Sequence, residues 1–254
     1  MGTTNVSLEK AIKQMCEQRG MDVVGFADPA LVEAPSYLKP SDALPECRSI
    51  IVFGKAVPSE AYAEDSNKAY NKAVFSYHDV LDALSADIVA FLQSRGHPSV
   101  LVGAFRPIVF RKGKFRGRIS LKHAAQAAGI GTIGLNTLLL SPKYGPRLRM
   151  GGVVTTARLT PDSPMAKPVC IEGCTLCIDK CPYGALSKDG IDFYRCLTRA
   201  HGHPLISTSK ATEGFPDWNW LNKVAAWMYN TFGANYTYLC WECITSCPLF
   251  PAGQ

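Results

Sequence analysis

Cys170-Ile-Glu-Gly-Cys174-Thr-Leu-Cys177-Ile-Asp-Lys-Cys181-Pro182 and Cys240-Trp-Glu-Cys243-Ile-Thr-Ser-Cys247-Pro248 are the two stretches on which the reading of this chain turns. Each ends in Cys-Pro, and Cys196 lies between them. Chains that hold two [4Fe–4S] clusters use this run, and the Cys before Pro then ligates the cluster of the other run. Crossed in that way, Cys170, Cys174, Cys177 and Cys247 hold one cluster. Cys181, Cys196, Cys240 and Cys243 hold the second. All eight thiols are used and none is left over. Such a pair moves single electrons, so the reading is of a redox protein.

Two other chemistries use closely spaced cysteines. Structural zinc takes Cys-x2-Cys pairs, often with His, but does not require two Cys-x3-Cys-Pro endings. Disulfides need an oxidising compartment, and Met1–Lys10 has no apolar segment of the signal-peptide kind. The expected location is therefore the cytoplasm. One spacing departs from the pattern: Cys170 and Cys174 are separated by three residues rather than two. Gly173 can open the turn that this needs.

The chain has 254 residues and 47% hydrophobic content, enough for a core-bearing lobe beside the cysteine-rich part. No apolar run reaches the ~18 residues of a membrane span, so no membrane is expected as a partner. The net charge is +6 and is unevenly spread. Seven basic residues and no acidic one fall between Arg106 and Lys122, a stretch that attracts phosphate or carboxylate unless it is only a solvated hairpin.

Along the first part, Ser7 caps a helix over Leu8–Arg19 and Gly20 ends it. Asp22–Ala27, Arg48–Gly54, Ser99–Gly103 and Arg147–Thr156 read as strands. Tyr70, Val74, Tyr77, Leu81, Leu84, Ile88 and Leu92 recur at threes and fours, which predicts a long amphipathic helix over Ser66–Arg95. A short helix over Ile119–Gly129 leads into Gly129-Ile-Gly131-Thr132-Ile-Gly134-Leu135-Asn136-Thr137-Leu138. The glycines have G-x-G-x-x-G spacing. They follow a helix and precede a strand-like run, the reverse of a dinucleotide fingerprint, so no nicotinamide site is expected. Cys16 and Cys47 read as structural thiols. His201 and His203 read as loop residues, and Trp218, Trp220, Trp227 and Trp241 as a shield around a cluster.

At this point the chain resembles the family of epoxyqueuosine reductases and their relatives, the reductive dehalogenases. Arg48–Gly54 resembles the family's early strand. Tyr77-His78-Asp-Val-Leu resembles its Asp-Tyr-His-x-x-Leu helix. Ala128–Gly134, with Leu138 and Leu139, resembles its Ala-Gly-Leu-Gly-Trp-x-Gly signature, and the eight cysteines fall in the family order. The resemblance spans about residues 20 to 250.

The resemblance implies an α+β fold. A nitroreductase-like lobe, residues 1–158, would bind a corrinoid with no lower ligand from the protein. A two-cluster ferredoxin-like lobe would occupy residues 159–254. Gly129, Gly131, Thr132, Gly134, Leu135, Asn136, Thr137 and Leu138 would line the corrinoid. Cobalamin and two [4Fe–4S] clusters are the expected cofactors, and a low-potential ferredoxin- or flavodoxin-type donor the expected partner. Tyr77, Lys122 and His123 are the catalytic candidates. The expected activity is a cobalamin-dependent reductase of a small molecule or modified nucleoside. The alternative is an electron-transfer or corrinoid-activating protein serving a partner.

Two departures bear on the substrate. Where the queuosine enzyme has an acidic proton donor, this sequence has Phe115-Arg116-Gly117. The sequence also ends seven residues after Cys247, without a tRNA-binding extension. The expectation is a short relative for which tRNA is not the favoured substrate.

Overall fold

A computed structural model describes residues 7–35, 38–63, 68–104, 109–111, 114–192, 195–196 and 240–250. The central element is strand β2 (Ser49–Ala56), buried along most of its length. Its alternation explains the layers. Ile50 and Val52 face one apolar cluster, and Ile51 and Phe53 face another, because successive strand side chains point to opposite faces. Strands β1 (Val23–Ala27) and β8 (Leu148–Thr155) flank it, and β3 (Ser99–Val102) lies outside β8, in the order β1-β2-β8-β3. Every pairing is antiparallel, with Ile50 opposite Val154 and Ile51 opposite Val153.

Helices α1 (Leu8–Gln18) and α2 (Lys68–Gln93) cover one face. Leu81, Leu84, Ile88 and Leu92, spaced by three and four, sink into the sheet from α2 with no exposed surface. Ile12 and Cys16 of α1 join the same cluster. Helix α3 (Leu121–Ala127) covers the opposite face through Ala124, Ala125 and Ala127. The expected elements of the first part are therefore present. The antiparallel ladder and the segregated helices make it α+β.

Between β3 and α3 lies the hairpin β4 (Val109–Arg111) and β5 (Lys114–Arg116). After α3, the glycine segment forms a second hairpin, β6 (Thr132–Ile133) with β7 (Leu139–Leu140). The cysteine-rich part contributes α4 (Leu176–Asp179), the ribbon β9 (Leu186–Ser187) with β10 (Gly190–Ile191), and a last helix, α5 (Glu242–Thr245). Helices α4 and α5 pack together. Asp162 joins this part to the sheet: its backbone N–H donates to the Phe26 carbonyl, and its carboxylate accepts from the Phe26 N–H. Arg106 and Lys112 of the basic stretch, and His201, His203, Trp218, Trp220 and Trp227, lie outside the residues described.

Candidate redox site

The two Cys-Pro runs fold alike. Each has a four-residue helix with a cysteine at its second position, Cys177 in α4 and Cys243 in α5. Thr175 and Trp241 precede them with nearly equal backbone angles, φ −119° and −124°. The extra residue of the first run is taken up as the spacing suggested: Gly173 has φ 75° and no atom near the place of a side chain.

The thiols gather in two groups drawn from distant parts of the sequence. Cys170, Cys174, Cys177 and Cys247 line one small cavity together with Leu135, Asn136 and Leu140. Burial raises the Cys177 thiol pKa, and the charges of Cys170, Cys247 and Cys174 push in the same direction. Cys181, Cys196, Cys240 and Cys243 line a second, larger cavity. Burial pushes Cys196 up to about 11, helped by Cys240 and Cys181. Burial likewise pushes Cys243 up to about 12, helped by Cys240, Cys196, Cys177 and Cys181. Among the described residues, no three His, Cys, Asp or Glu side chains converge closely enough to hold one metal ion. The thiols line the walls of the two cavities instead. Their raised pKa values describe thiols without metal; an iron site takes them as thiolates, because bound cations invert the local acid–base preference. The Ala185 N–H also points at Cys181 Sγ, at 3.3 Å.

The larger cavity measures about 410 Å³, within the range of small-molecule sites. Its wall is mostly apolar, with Val74, Leu121, Leu138, Leu148, Met150 and Ile244 among its residues. Tyr70, His78, Asn136, Arg149, Tyr183 and Glu242 bring polar groups to it. Arg149 donates through Nη2 to the Tyr70 hydroxyl. Tyr70 is buried, which raises its pKa, although Arg149 acts against the shift. Tyr62 and Trp241 pack on the Tyr70 ring at 4.7 and 5.2 Å between centroids.

No protein-family profile matches the chain. The epoxyqueuosine reductase of Bacillus subtilis is 28% identical over 235 residues, 89% of this chain and 52% of that protein. The enzyme of the same name from Listeria monocytogenes is 31% identical over 188 residues, 70% of this chain and 46% of that protein. The chain resembles the epoxyqueuosine reductases. It spans about half the length of these curated relatives. Among solved structures, an epoxyqueuosine reductase with an epoxyqueuosine-modified tRNA-Tyr stem loop matches with a TM-score of 0.60 at 22% identity, over 95% of this chain and 65% of that one. A catabolic reductive dehalogenase matches with a TM-score of 0.52 at 18% identity, over 75% of this chain and 29% of that one. At these identities the structures show a shared fold.

The glycines of this segment make room for close approach within the chain itself. A Cβ on Gly131 would overlap the Leu140 carbonyl oxygen, and one on Gly129 the Ser163 carbonyl. A Cβ on Gly134 would meet the Leu140 side chain. These glycines admit the chain's own backbone and side chains. Thr132 accepts a hydrogen bond from the Val169 N–H at 2.8 Å and so anchors the start of the first cysteine run. Leu135 and Asn136 border the small cavity. Of the eight residues expected to line a cofactor, Asn136, Thr137 and Leu138 border the large one.

The catalytic candidates also move. Tyr77 is half-buried under the Lys55 ammonium, 5.5 Å from its ring centroid, and is not in the cavity wall. Tyr70, Val74 and His78, at intervals of four on α2, are in it. Lys122 donates through Nζ to the Thr137 carbonyl at 2.8 Å, and so holds the loop rather than entering the cavity. His123 lies 2.5 Å from Ser120 Oγ through Nδ1 and is outside the wall as well. Arg149, which the sequence presents only as a strand residue, is a cavity-wall side chain that reading missed. Its signal was a pair of arginines, Arg147 and Arg149, in an otherwise apolar strand.

Proposed function

We propose that the chain is a cobalamin-dependent iron–sulfur reductase of the epoxyqueuosine reductase type. Its two [4Fe–4S] clusters are held by Cys170, Cys174, Cys177 and Cys247, and by Cys181, Cys196, Cys240 and Cys243. The observation that carries the reading is the crossed grouping of thiols, one group of which forms a wall of the 410 Å³ cavity. The residues present fit both cofactors. Eight thiols surround two spaces, and a broad apolar wall with a few polar groups suits one face of a corrinoid. Residues 1–158 would serve the corrinoid and residues 159–254 the clusters.

When bound, the clusters supply single electrons and the corrinoid supplies a nucleophilic reduced cobalt. The chain's own residues bind, orient and supply protons. Asn136, Thr137 and Leu138 border the cofactor space, and Lys122 fixes their loop through the Thr137 carbonyl. Tyr70 is protonated at neutral pH like any tyrosine, and burial raises its pKa further. It takes the place expected for Tyr77 as the tyrosine able to hand a proton into the cavity. Arg149, bonded to the same oxygen, stabilises the phenolate that such a transfer would leave.

The relatives shift the substrate expectation. Their names make epoxyqueuosine in tRNA the first substrate to test, against the missing carboxylate at Phe115–Gly117. The test is anaerobic reconstitution with iron, sulfide and cobalamin, then queuosine formation in tRNA with a low-potential reductant. The expected loading is about eight iron and eight sulfide per chain, with cobalamin bound and turnover observed. Loaded clusters without cobalamin binding would make the chain an electron-delivery protein for a partner. Bound cobalamin without queuosine formation would return the substrate to a small molecule.

A further inference from the structure

Arg149 is unusual for a charge in this position. Among the described residues its Nε is buried with no hydrogen-bond partner, and Nη2 donates to the neutral hydroxyl of Tyr70. Neither ion pair among the described residues includes it. Arg149 is half-buried with its Nε enclosed; charges withdrawn from water are normally paired, and no anion pairs with this one among the described residues. The guanidinium lies over the Tyr70 ring, 5.6 Å from its centroid, and Cys243 borders the same cavity. Arg149 shares the cavity wall with Cys181, Cys196, Cys240 and Cys243. Glu242 borders the same cavity with the opposite charge. Around the other four thiols, none of the described wall residues is an arginine or lysine.

We propose that Arg149 is the counter-charge of the iron–sulfur centre held by Cys181, Cys196, Cys240 and Cys243, and that it raises that centre's reduction potential. The proposal rests on the cluster reading above. A [4Fe–4S] core with four thiolates is a net anion and gains one more negative charge when it accepts an electron. A fixed cation beside it stabilises the reduced form more than the oxidised one, and net charge is among the recognised controls of cluster potential. The electron comes from a low-potential one-electron donor. With Arg149 on one side only, the centre bordering the large cavity becomes the preferred acceptor, and electrons are drawn toward the cavity.

The test uses the full chain, reconstituted anaerobically, in the wild-type form and as Arg149→Met and Arg149→Gln. Iron, sulfide and the number of paramagnetic signals are measured first. Fewer than two four-iron centres in the wild type overturns the cluster reading and this proposal together. With both centres present, a redox titration followed by paramagnetic resonance is decisive. Each neutral variant should hold about tenfold less of one centre reduced at a fixed ambient potential, a shift of about 59 mV for a one-electron couple. The other centre should not move. Two centres with unshifted potentials, or equal shifts in both, overturn the proposal and leave the cluster reading standing. Both variants should fold, since removing Arg149 strands no carboxylate among the described ion pairs. Arg149→His covers the case in which neither does. Its imidazolium deprotonates within the working pH range, so the potential of that centre must fall relative to wild type as pH rises; parallel pH profiles overturn the proposal.

Discussion

The Asn136 carboxamide donates through Nδ2 to the Cys243 carbonyl oxygen at 3.3 Å, while its Oδ1 accepts from the Leu138 N–H at 3.1 Å. One buried side chain thus shapes the tip of the β6–β7 hairpin and fastens it to the second cysteine run. Asn136→Ala strands both partners. An unsatisfied buried polar group costs about 1–3 kcal/mol, and for a chain of this size each kcal/mol lowers the melting temperature by about 2–4 °C. Thermal unfolding of the apoprotein should show that loss. An unchanged melting temperature would refute the role of the bond.

Cys247→Ser should disturb the cluster of Cys170, Cys174 and Cys177, although Cys240 and Cys243 are its neighbours in sequence. The shared cavity of Cys170, Cys174, Cys177 and Cys247 is the reason. Paramagnetic resonance of the variant, beside a Cys196→Ser control that perturbs the other centre, distinguishes the two patterns. Loss of the signal belonging to Cys240 and Cys243 alone would defeat the crossed arrangement.

Substitution at the glycine signature should act on folding before it acts on cofactor binding. In Gly131→Ala the new methyl would overlap the Leu140 carbonyl, and backbone cannot yield as a flexible side chain can. The cost should exceed about 3 kcal/mol, in the range of severe core lesions. Gly173→Ala is the contrast. Nothing crowds its Cβ position, so only the left-handed backbone is penalised, by about 1–2 kcal/mol. Urea unfolding of the two apoproteins measures the difference, and equal losses would contradict the packing account.

The corrinoid reading makes a separate demand on the cavity wall. Leu138 borders the cavity and is only half-buried, so Leu138→Trp can place an indole in that space without rebuilding the core. Cobalamin affinity, followed by absorbance, should fall at least tenfold, with iron content and melting temperature unchanged. Wild-type affinity in the folded variant would place the corrinoid elsewhere.

The sequence carried these features unevenly, for physical reasons. The grouping of the thiols was legible because the Cys-Pro runs fix cysteine spacing on a short helix, so Cys177 and Cys243 fall where the motif puts them. The long helix was legible from its period. Which of Tyr77 and His78 faces the cavity was not, because adjacent residues on a helix point about 100° apart and only tertiary packing chooses between them. The glycine signature was recognisable as a pattern while its cause was hidden. Close approach to Leu140 and close approach to a ligand require the same missing side chain. Arg149 escaped notice because strand periodicity describes which face a residue occupies, not whether a cavity lies beneath it.

His123 supplies a pH-dependent prediction. It is half-buried, and burial holds its pKa below the ordinary 6.5, with Lys122 adding to the effect and Glu33 opposing it. The folded state thus binds the proton less readily than the unfolded chain does. Stability from this group is complete above about 6.5 and is lost as the pH falls through that value toward the depressed folded pKa. Unfolding by urea at pH 7.5 and pH 5.5 should show the wild type losing stability between the two. His123→Gln can still offer an oxygen to Ser120 but has no such titration, so its loss should be smaller. Carboxylates such as Glu9, held below the usual range chiefly by the Thr160 N–H, titrate lower and contribute equally to both proteins. The difference between wild type and variant therefore isolates His123, and identical losses in the two would show that its environment does not disfavour the charge.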